Sequence, residues 1–416
     1  MSDSVVAAAE QTAAGVTLFA QNSDRHADEC QPFRQFSEAN HPPGSMLRCS
    51  HIAIPQVAET YRVMGHSPWW AWGFEHGVNE HAVAIATQRV SSREAIEKQP
   101  GLIGIDLVRL GLERGRSARE ALEIIAGLIE VHGQGGSTFQ SDARGDHSAF
   151  LLADPTEAWR LETSNRRWAA RRCELESVSN HYHIRSDWHF SSRDLADFAR
   201  ERGWWSRSGR LDVALAYGGD ARMSPGSDAR QQRARELLDQ ERGRHDRESF
   251  QSLLRDHLED AAEHGDSLCA HREALEATTA SLIAPLPAAL RAPWPVWISF
   301  AAPCTGVFLP VYLSGAIPAE LARGGEQPRD DSAWWAFKRL HDAASADYAR
   351  ALPRLRAGWA EFENELEQAR RSAESMARGA IALGDRDRAA QDVTKFMDWA
   401  VESALQRAEV LLARLT

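Results

Sequence analysis

Ser2, Asp24 and Arg25 are the residues whose types and spacing first suggest chemistry. Ser2 follows the initiator Met1, and its small side chain favours removal of that Met, which would leave a hydroxyl beside its own α-amine. An α-amine has a reference pKa of about 7.7–8.0, so near neutral pH it can serve as a general base. A hydroxyl next to such a base is an activated nucleophile. The flanking sequence says how the partners could reach it. Ser2-Asp3-Ser4-Val5-Val6-Ala7 and Val16-Thr17-Leu18-Phe19-Ala20-Gln21 are short β-rich runs, and Gly15 precedes the second. That pattern predicts a hairpin with a longer loop. A hairpin brings the end of its second strand back to the start of its first, so Asn22, Asp24 and Arg25 are expected beside residue 2.

Composition bounds the class of protein. The chain has 416 residues, 43% of them hydrophobic and 26% charged, enough for one large domain or two. A net charge of −11 argues against a nucleic-acid partner. No apolar run of 18 residues or more exists, so no membrane span is expected. The start lacks a basic region leading into a compact apolar core, so no signal peptide is expected and a cytoplasmic location is the reading. Cys30, Cys49, Cys173, Cys269 and Cys304 are few, odd in number and widely spaced. That fits reduced thiols, not a disulfide framework or a zinc site. His181 and His183 have no carboxylate or Cys at ligand spacing, so no metal is expected there.

Taken in order, residues 26–60 read as loop with short strands, including one over Leu47 to Pro55. Trp69, Trp70 and Trp72 cluster within four positions, as a packed aromatic corner or as a wall of an apolar substrate pocket. Gly77 to Ala86 reads as a turn feeding a buried strand, with Asn79 as a turn residue. Residues 102–131 carry two helical patterns, the second opened by the capping box Ser117-Ala118-Arg119-Glu120 and closed by Gly133-Gln134-Gly135-Gly136. Residues 148–188 return to strands. Residues 191–265 are polar and mostly helical. Residues 267–314 are β again, beginning with Ser267 to His271. Gly324 to Ser332 is a linker. Helices fill 333–416, where Val393, Met397, Val401, Leu405, Ala408 and Leu412 form a 3.6-period stripe that packs on the core or on a second subunit. The reading is therefore an α+β domain over 1–323 with a helical insertion near 191–265, a linker at 324–332 and a helical region at 333–416. Two sheets with helices outside them satisfy this order.

These stretches together resemble the secernin and bacterial dipeptidase family of N-terminal nucleophile hydrolases. The resemblance runs through Gln21-Asn22-Ser23-Asp24-Arg25, Ile54-Pro55-Gln56, Trp70-Ala71-Trp72-Gly73, Gly77-Val78-Asn79-Glu80-His81, Val178-Ser179-Asn180, Leu254-Arg255-Asp256-His257, Cys269-Ala270-His271, Thr278-Thr279-Ala280-Ser281 and Ala302-Pro303-Cys304. It implies an αββα sandwich of two antiparallel sheets and amide-bond hydrolysis without metal or organic cofactor. Through the broader group that holds penicillin V acylase and bile-salt hydrolase, it also implies roles. Ser2 matches the nucleophile and Asp24 an Asp near its amine. Asn79 matches an oxyanion-hole residue acting through its backbone N–H, and Asn180 the side-chain donor of that hole. Gln21 stands where the group carries Lys or Arg. Gln21, Arg25, Trp69, Trp70 and Trp72 are the pocket candidates.

Two departures stand out. The family mostly carries Cys where this chain has Ser2, and a neutral hydroxyl needs more help from its base than a thiol does. Gln21 removes a positive charge that would favour a deprotonated nucleophile and a developing oxyanion. The expected substrate is a small peptide, a dipeptide first, with an N-acyl amine as the alternative. A member that binds without turnover, and acyl transfer to an amine at the same site, are the competing readings. Homo-oligomerisation is left open.

Overall fold

The computed structural model describes residues 2–139, 145–220, 226–257, 267–271 and 276–415. The hairpin forms as its sequence predicts. β1 (Ser2–Ala7) and β2 (Thr17–Arg25) pair antiparallel with Ser2 opposite Ser23, and Gly15 takes the left-handed conformation, φ +64°, that the turn requires. Every residue of both strands is buried. Both faces of this hairpin are covered, so its sequence lacks the apolar–polar alternation of a half-exposed strand.

The chain continues through β3 (Phe33–Phe36), β4 (Ala39–Asn40), β5 (Met46–Arg48), β6 (Ala53–Pro55), β7 (Glu59–Thr60), β8 (Val63–His66), β9 (His76–Asn79) and β10 (Ala84–Val90). Helices α1 (Gly104–Arg114) and α2 (Ala118–His132) follow, then β11 (His147–Ala153), β12 (Ala158–Ser164), β13 (Arg167–Cys173), β14 (Leu175–Val178) and β15 (Phe190–Ser191). Next come α3 (Leu195–Glu201), α4 (Val213–Tyr217), α5 (Ser227–Gln240) and α6 (Arg247–Leu254). The rest is β16 (Ala277–Leu286), β17 (Val296–Phe300), β18 (Leu309–Val311), α7 (Ala319–Ala322), α8 (Ala333–Ser345), α9 (Tyr348–Ala382) and α10 (Arg386–Ala413).

Two large antiparallel sheets result among the described residues. One runs β14-β1-β2-β16-β17-β18, the other β15-β13-β12-β11-β10-β9-β8-β3. They face each other: Gln21 Nε2 donates across the gap to the Thr87 carbonyl at 3.1 Å, and Gln88 Nε2 to Ser4 Oγ at 2.8 Å. α1 and α2 cover the outer face of the second sheet, where Leu107, Leu110, Leu122 and Ile125 pack on Ile85, Phe150 and Leu152. α5, α6, α8 and α10 lie against the first sheet. The layer order is αββα, as expected. The Ser117 side chain caps α2 by accepting from Glu120 N, and Gly133 ends it at φ +69°.

The C-terminal helices share one continuous core with the sheets. Trp334 and Trp359 are fully buried and donate their indole N–H groups to the carbonyls of Thr279 and Thr305, each at 2.9 Å. In the α10 stripe, Val393, Met397, Val401 and Ala408 are buried, so of the two packings open to it, the chain's own core is the one observed. Residues 324–332 hold neither helix nor strand. No helix among the described residues is long and apolar enough to cross a membrane.

Two local expectations fail. The strand read over Leu47 to Pro55 is a tight β5–β6 hairpin, closed by the Cys49 N–H on the Ile52 carbonyl at 2.8 Å. Ser267 to His271 is not a strand; it makes only an isolated bridge from His271 to Ala277, because Cys269 and His271 turn toward other polar side chains.

Candidate active site

Ser2 sits on the first residue of β1 at a small cavity of ≈ 30 Å³ that Asp24, Arg25, Arg89, Phe139 and Asn180 also line. The hairpin register delivers Asp24: its N–H donates to Ser2 Oγ at 3.2 Å. β16, on the other side of β2, delivers Thr278 opposite Asp24, and the Thr278 hydroxyl donates to Asp24 Oδ1 at 2.7 Å. β14 flanks β1 on its far side, and the chain leaving it carries Asn180 back over the start of β1.

Asn180 is fixed at both ends. Its Oδ1 accepts from the Ser2 backbone nitrogen at 2.8 Å and from Arg230 at 3.0 Å, while its Nδ2 donates to the Arg89 carbonyl at 2.9 Å. Two donors on one side and a carbonyl on the other leave one orientation of the amide. The second hydrogen of Nδ2 is not used by that bond.

Arg230, from α5, is fully buried. It reaches Asp3 Oδ2 at 2.7 Å, Ser179 Oγ at 3.2 Å and Asn180. Asp3 is also buried, so the pair neutralises two charges that could not be left alone beneath the site. Burial pushes the Asp24 carboxyl up to about 7; the charge of the chain's N-terminus opposes this most, the Asp3 charge adds to it, and Arg230 and the Thr278 hydroxyl oppose it. A carboxyl that holds its proton more tightly folded than unfolded ionises at the expense of the fold, so stability is lost as pH rises from about 4 through about 7. Asp24→Asn, which cannot ionise, should therefore be more stable than the parent at pH 8, with the gap narrowing at pH 5. Paired thermal melts measure this; a gap that stays constant with pH would mean Asp24 keeps an ordinary carboxylate pKa.

The remaining expected site residues scatter. Arg25 lines the cavity, bonded to Glu75 at 2.8 Å, Glu29 at 2.6 Å and the Thr138 carbonyl at 2.5 Å. Gln21 does not line it: its Nε2 is spent on Thr87 between the sheets. Trp69, Trp70 and Trp72 also lie outside the lining. Trp70 donates to Glu29 at 2.8 Å, one ion pair away from Arg25, and Trp72 stacks beneath the Arg109 guanidinium, 4.1 Å from the ring centre.

Asn79 lies in a turn, outside the cavity lining. Its N–H bonds the Val83 carbonyl at 3.0 Å, its Oδ1 accepts from His81 and Val83, and its Nδ2 donates to the carbonyls of Leu112 and Gly115. Its N–H and Oδ1 serve the tight turn through Ala82, which takes φ +56°, and its Nδ2 ties that turn to the end of α1. Leu112 and Gly115 mark the C-terminal end of α1, whereas the cavity touches Gly104 at its N-terminal end, roughly 12–16 Å away along a helix rising 1.5 Å per residue.

Asp3, Arg89, Phe139 and Arg230 belong to the site and were missed. Asp3 adjoins Ser2, which is a usable signal. Arg230 lies in a helix with charges on every side, and nothing local marks it as buried.

The family model for peptidase family C69 matches residues 5–226, more than half of the chain. Among solved structures, a mutant of the conjugated bile acid hydrolase from Clostridium perfringens aligns at 12% identity and TM-score 0.45, covering 72% of this chain and 89% of that one. Penicillin V acylase from Agrobacterium tumefaciens aligns at 13% and 0.42, covering 75% and 85%. The Caenorhabditis elegans ortholog of N-acylethanolamine-hydrolyzing acid amidase aligns at 12% and 0.33, covering 69% and 94%. With residues 5–226 matched by its model, the chain belongs to peptidase family C69 and is an amide hydrolase by class.

Proposed function

We propose that the chain is a dipeptidase whose nucleophile is Ser2, exposed as the N-terminal residue once Met1 is removed. The observation that carries this is the Ser2 nitrogen held by Asn180 Oδ1 at 2.8 Å, with the Ser2 hydroxyl beside Asp24. Freed as an amine, that nitrogen still donates to Asn180, which leaves its lone pair for the hydroxyl proton. Ser2 Oγ then forms a bond to the amide carbonyl carbon as the α-amine takes its proton. The carbonyl oxygen gains the negative charge, and the second Nδ2 hydrogen of Asn180 is the donor for it; one such donor contributes about 10²–10³ in rate. The C–N bond breaks as the ammonium returns the proton to the leaving amine. Water, deprotonated by the same amine, releases the acid and restores Ser2.

A small peptide suits the cavity because its rim is charged, with Arg25, Arg89 and Glu75, which complement the ends of a zwitterion better than a long apolar acyl chain. The Phe139 ring lies 4.2 Å from the Arg25 guanidinium and 4.7 Å from that of Arg89, and it narrows the space beside Ser2. Phe139→Ala should raise the kcat/KM ratio of bulky over small dipeptides by about 10-fold, read from paired kinetics; an unchanged ratio would remove Phe139 from the specificity wall.

The test is a panel of dipeptides and N-acyl amines, each assayed with the parent and with Ser2→Ala. Hydrolysis of N-acyl amines alone would end the dipeptidase reading and keep the nucleophile. Capture of the acyl group by added hydroxylamine separates transfer from hydrolysis.

A further inference from the structure

Spacing along the chain argued against a metal, yet the fold gathers two cysteines and two histidines from separate segments. His257 follows α6, Cys269 and His271 precede β16, and Cys304 follows β17. One ligand atom from each lies within 4.8 Å of all the others. We infer that His257, Cys269, His271 and Cys304 form a four-ligand site for a borderline-soft divalent cation, zinc in the first place, independent of the hydrolytic centre.

The geometry points to a cation at the middle. His271 Nε2 lies 3.3 Å from Cys269 Sγ, 3.2 Å from Cys304 Sγ and 3.2 Å from His257 Nε2. A ring nitrogen carries one hydrogen or one lone pair, so hydrogen bonding satisfies at most one of these three. A tetrahedral zinc with bonds of about 2.3 Å to sulfur and 2.0–2.1 Å to nitrogen sets ligand atoms about 3.3–3.8 Å apart. The three spacings to His271 Nε2 approach those edges.

Charge and surroundings agree. Cys269 and Cys304 are buried at 0% and 2% exposure. Two thiolates and a divalent cation sum to zero, so the filled site can be buried at little cost, whereas unbound thiolates could not. Tyr348 of α9 closes it, with its ring 5.8 Å from His257 and 5.0 Å from His271. Four protein ligands leave no open position, which marks a structural and not a catalytic ion.

Such an ion would clamp the strand that carries Asp24. Asn22 of β2 donates to the carbonyls of Leu254 and Leu268, both at 2.8 Å, and these lie just before His257 and Cys269. Ala270, between two ligands, donates to Thr278 Oγ1 at 2.9 Å, the same hydroxyl that donates to Asp24.

The experiment uses the full untagged chain. Elemental analysis after dialysis should find about one zinc per chain, and cobalt(II) added to the reduced, metal-stripped protein should give intense thiolate-to-metal and tetrahedral d–d bands. Cys304→Ser should weaken the charge-transfer band, and Cys30→Ser, outside the cluster, should leave it unchanged. Protein that holds no zinc and shows no thiolate band with cobalt, whether its thiols are free or joined as a Cys269–Cys304 disulfide, would overturn the site.

Discussion

Ser2→Ala will lower amide hydrolysis by at least about 10³-fold while the chain remains folded. The size follows from covalent catalysis. Without Oγ no acyl-enzyme can form, and the amine, Asn180 and the charged rim can do no more than position water. The structural loss is small by comparison. Ser2 Oγ accepts a hydrogen bond from the Asp24 N–H at 3.2 Å, and such a bond contributes about 1 kcal/mol. Ser2→Cys restores a nucleophile of nearly the same shape and should hydrolyse the same substrates. Stopped turnover in Ser2→Ala, recovered turnover in Ser2→Cys and closely matched thermal melts together separate a chemical role from a packing role. Turnover by Ser2→Ala at the parent rate would sink the mechanism.

The second large effect belongs to Arg230. Arg230→Met should destabilise the fold by about 3–5 kcal/mol, because removing one partner leaves a buried charge uncompensated. Here that charge is Asp3, 2.7 Å away and buried beneath the nucleophile. Arg230→Lys should rescue little. A point charge cannot span Asp3, Ser179 and Asn180 as the guanidinium does. Asp3→Asn combined with Arg230→Met should recover much of the loss, since the double variant removes both charges of the pair. Urea denaturation of the four proteins closes the cycle, and additive effects of the two changes would contradict the pairing.

How far the sequence could be read depended on whether the signal was local. The β1–β2 hairpin was legible because two β-rich runs flank a Gly that the turn needs. α2 was legible from its N-cap Ser117, and two sheets with helices outside them from the sequence of elements, while the αββα order came from the family resemblance. Residues whose importance comes from distant contacts were not legible. Arg230 is in a polar helix, and only its packing against β14 and β1 buries it. His257, Cys269, His271 and Cys304 have no ligand spacing, since three chain segments supply them. Asn79 sits in the turn that its local Gly-Val-Asn-Glu setting suggests, with its N–H on the Val83 carbonyl. Gln21 shares a strand face with Arg25 by the two-residue period, but it meets the opposite sheet before the cavity begins.

The most direct test of the central claim is the mass of the N-terminal peptide from untagged protein acid-quenched during turnover of a dipeptide or activated amide. The mechanism predicts a peptide that starts at Ser2, lacks Met1 and carries the acyl mass, with no such adduct in Ser2→Ala. Turnover by protein that retains Met1, or turnover that leaves Ser2 unmodified while the acyl group appears elsewhere, would contradict it.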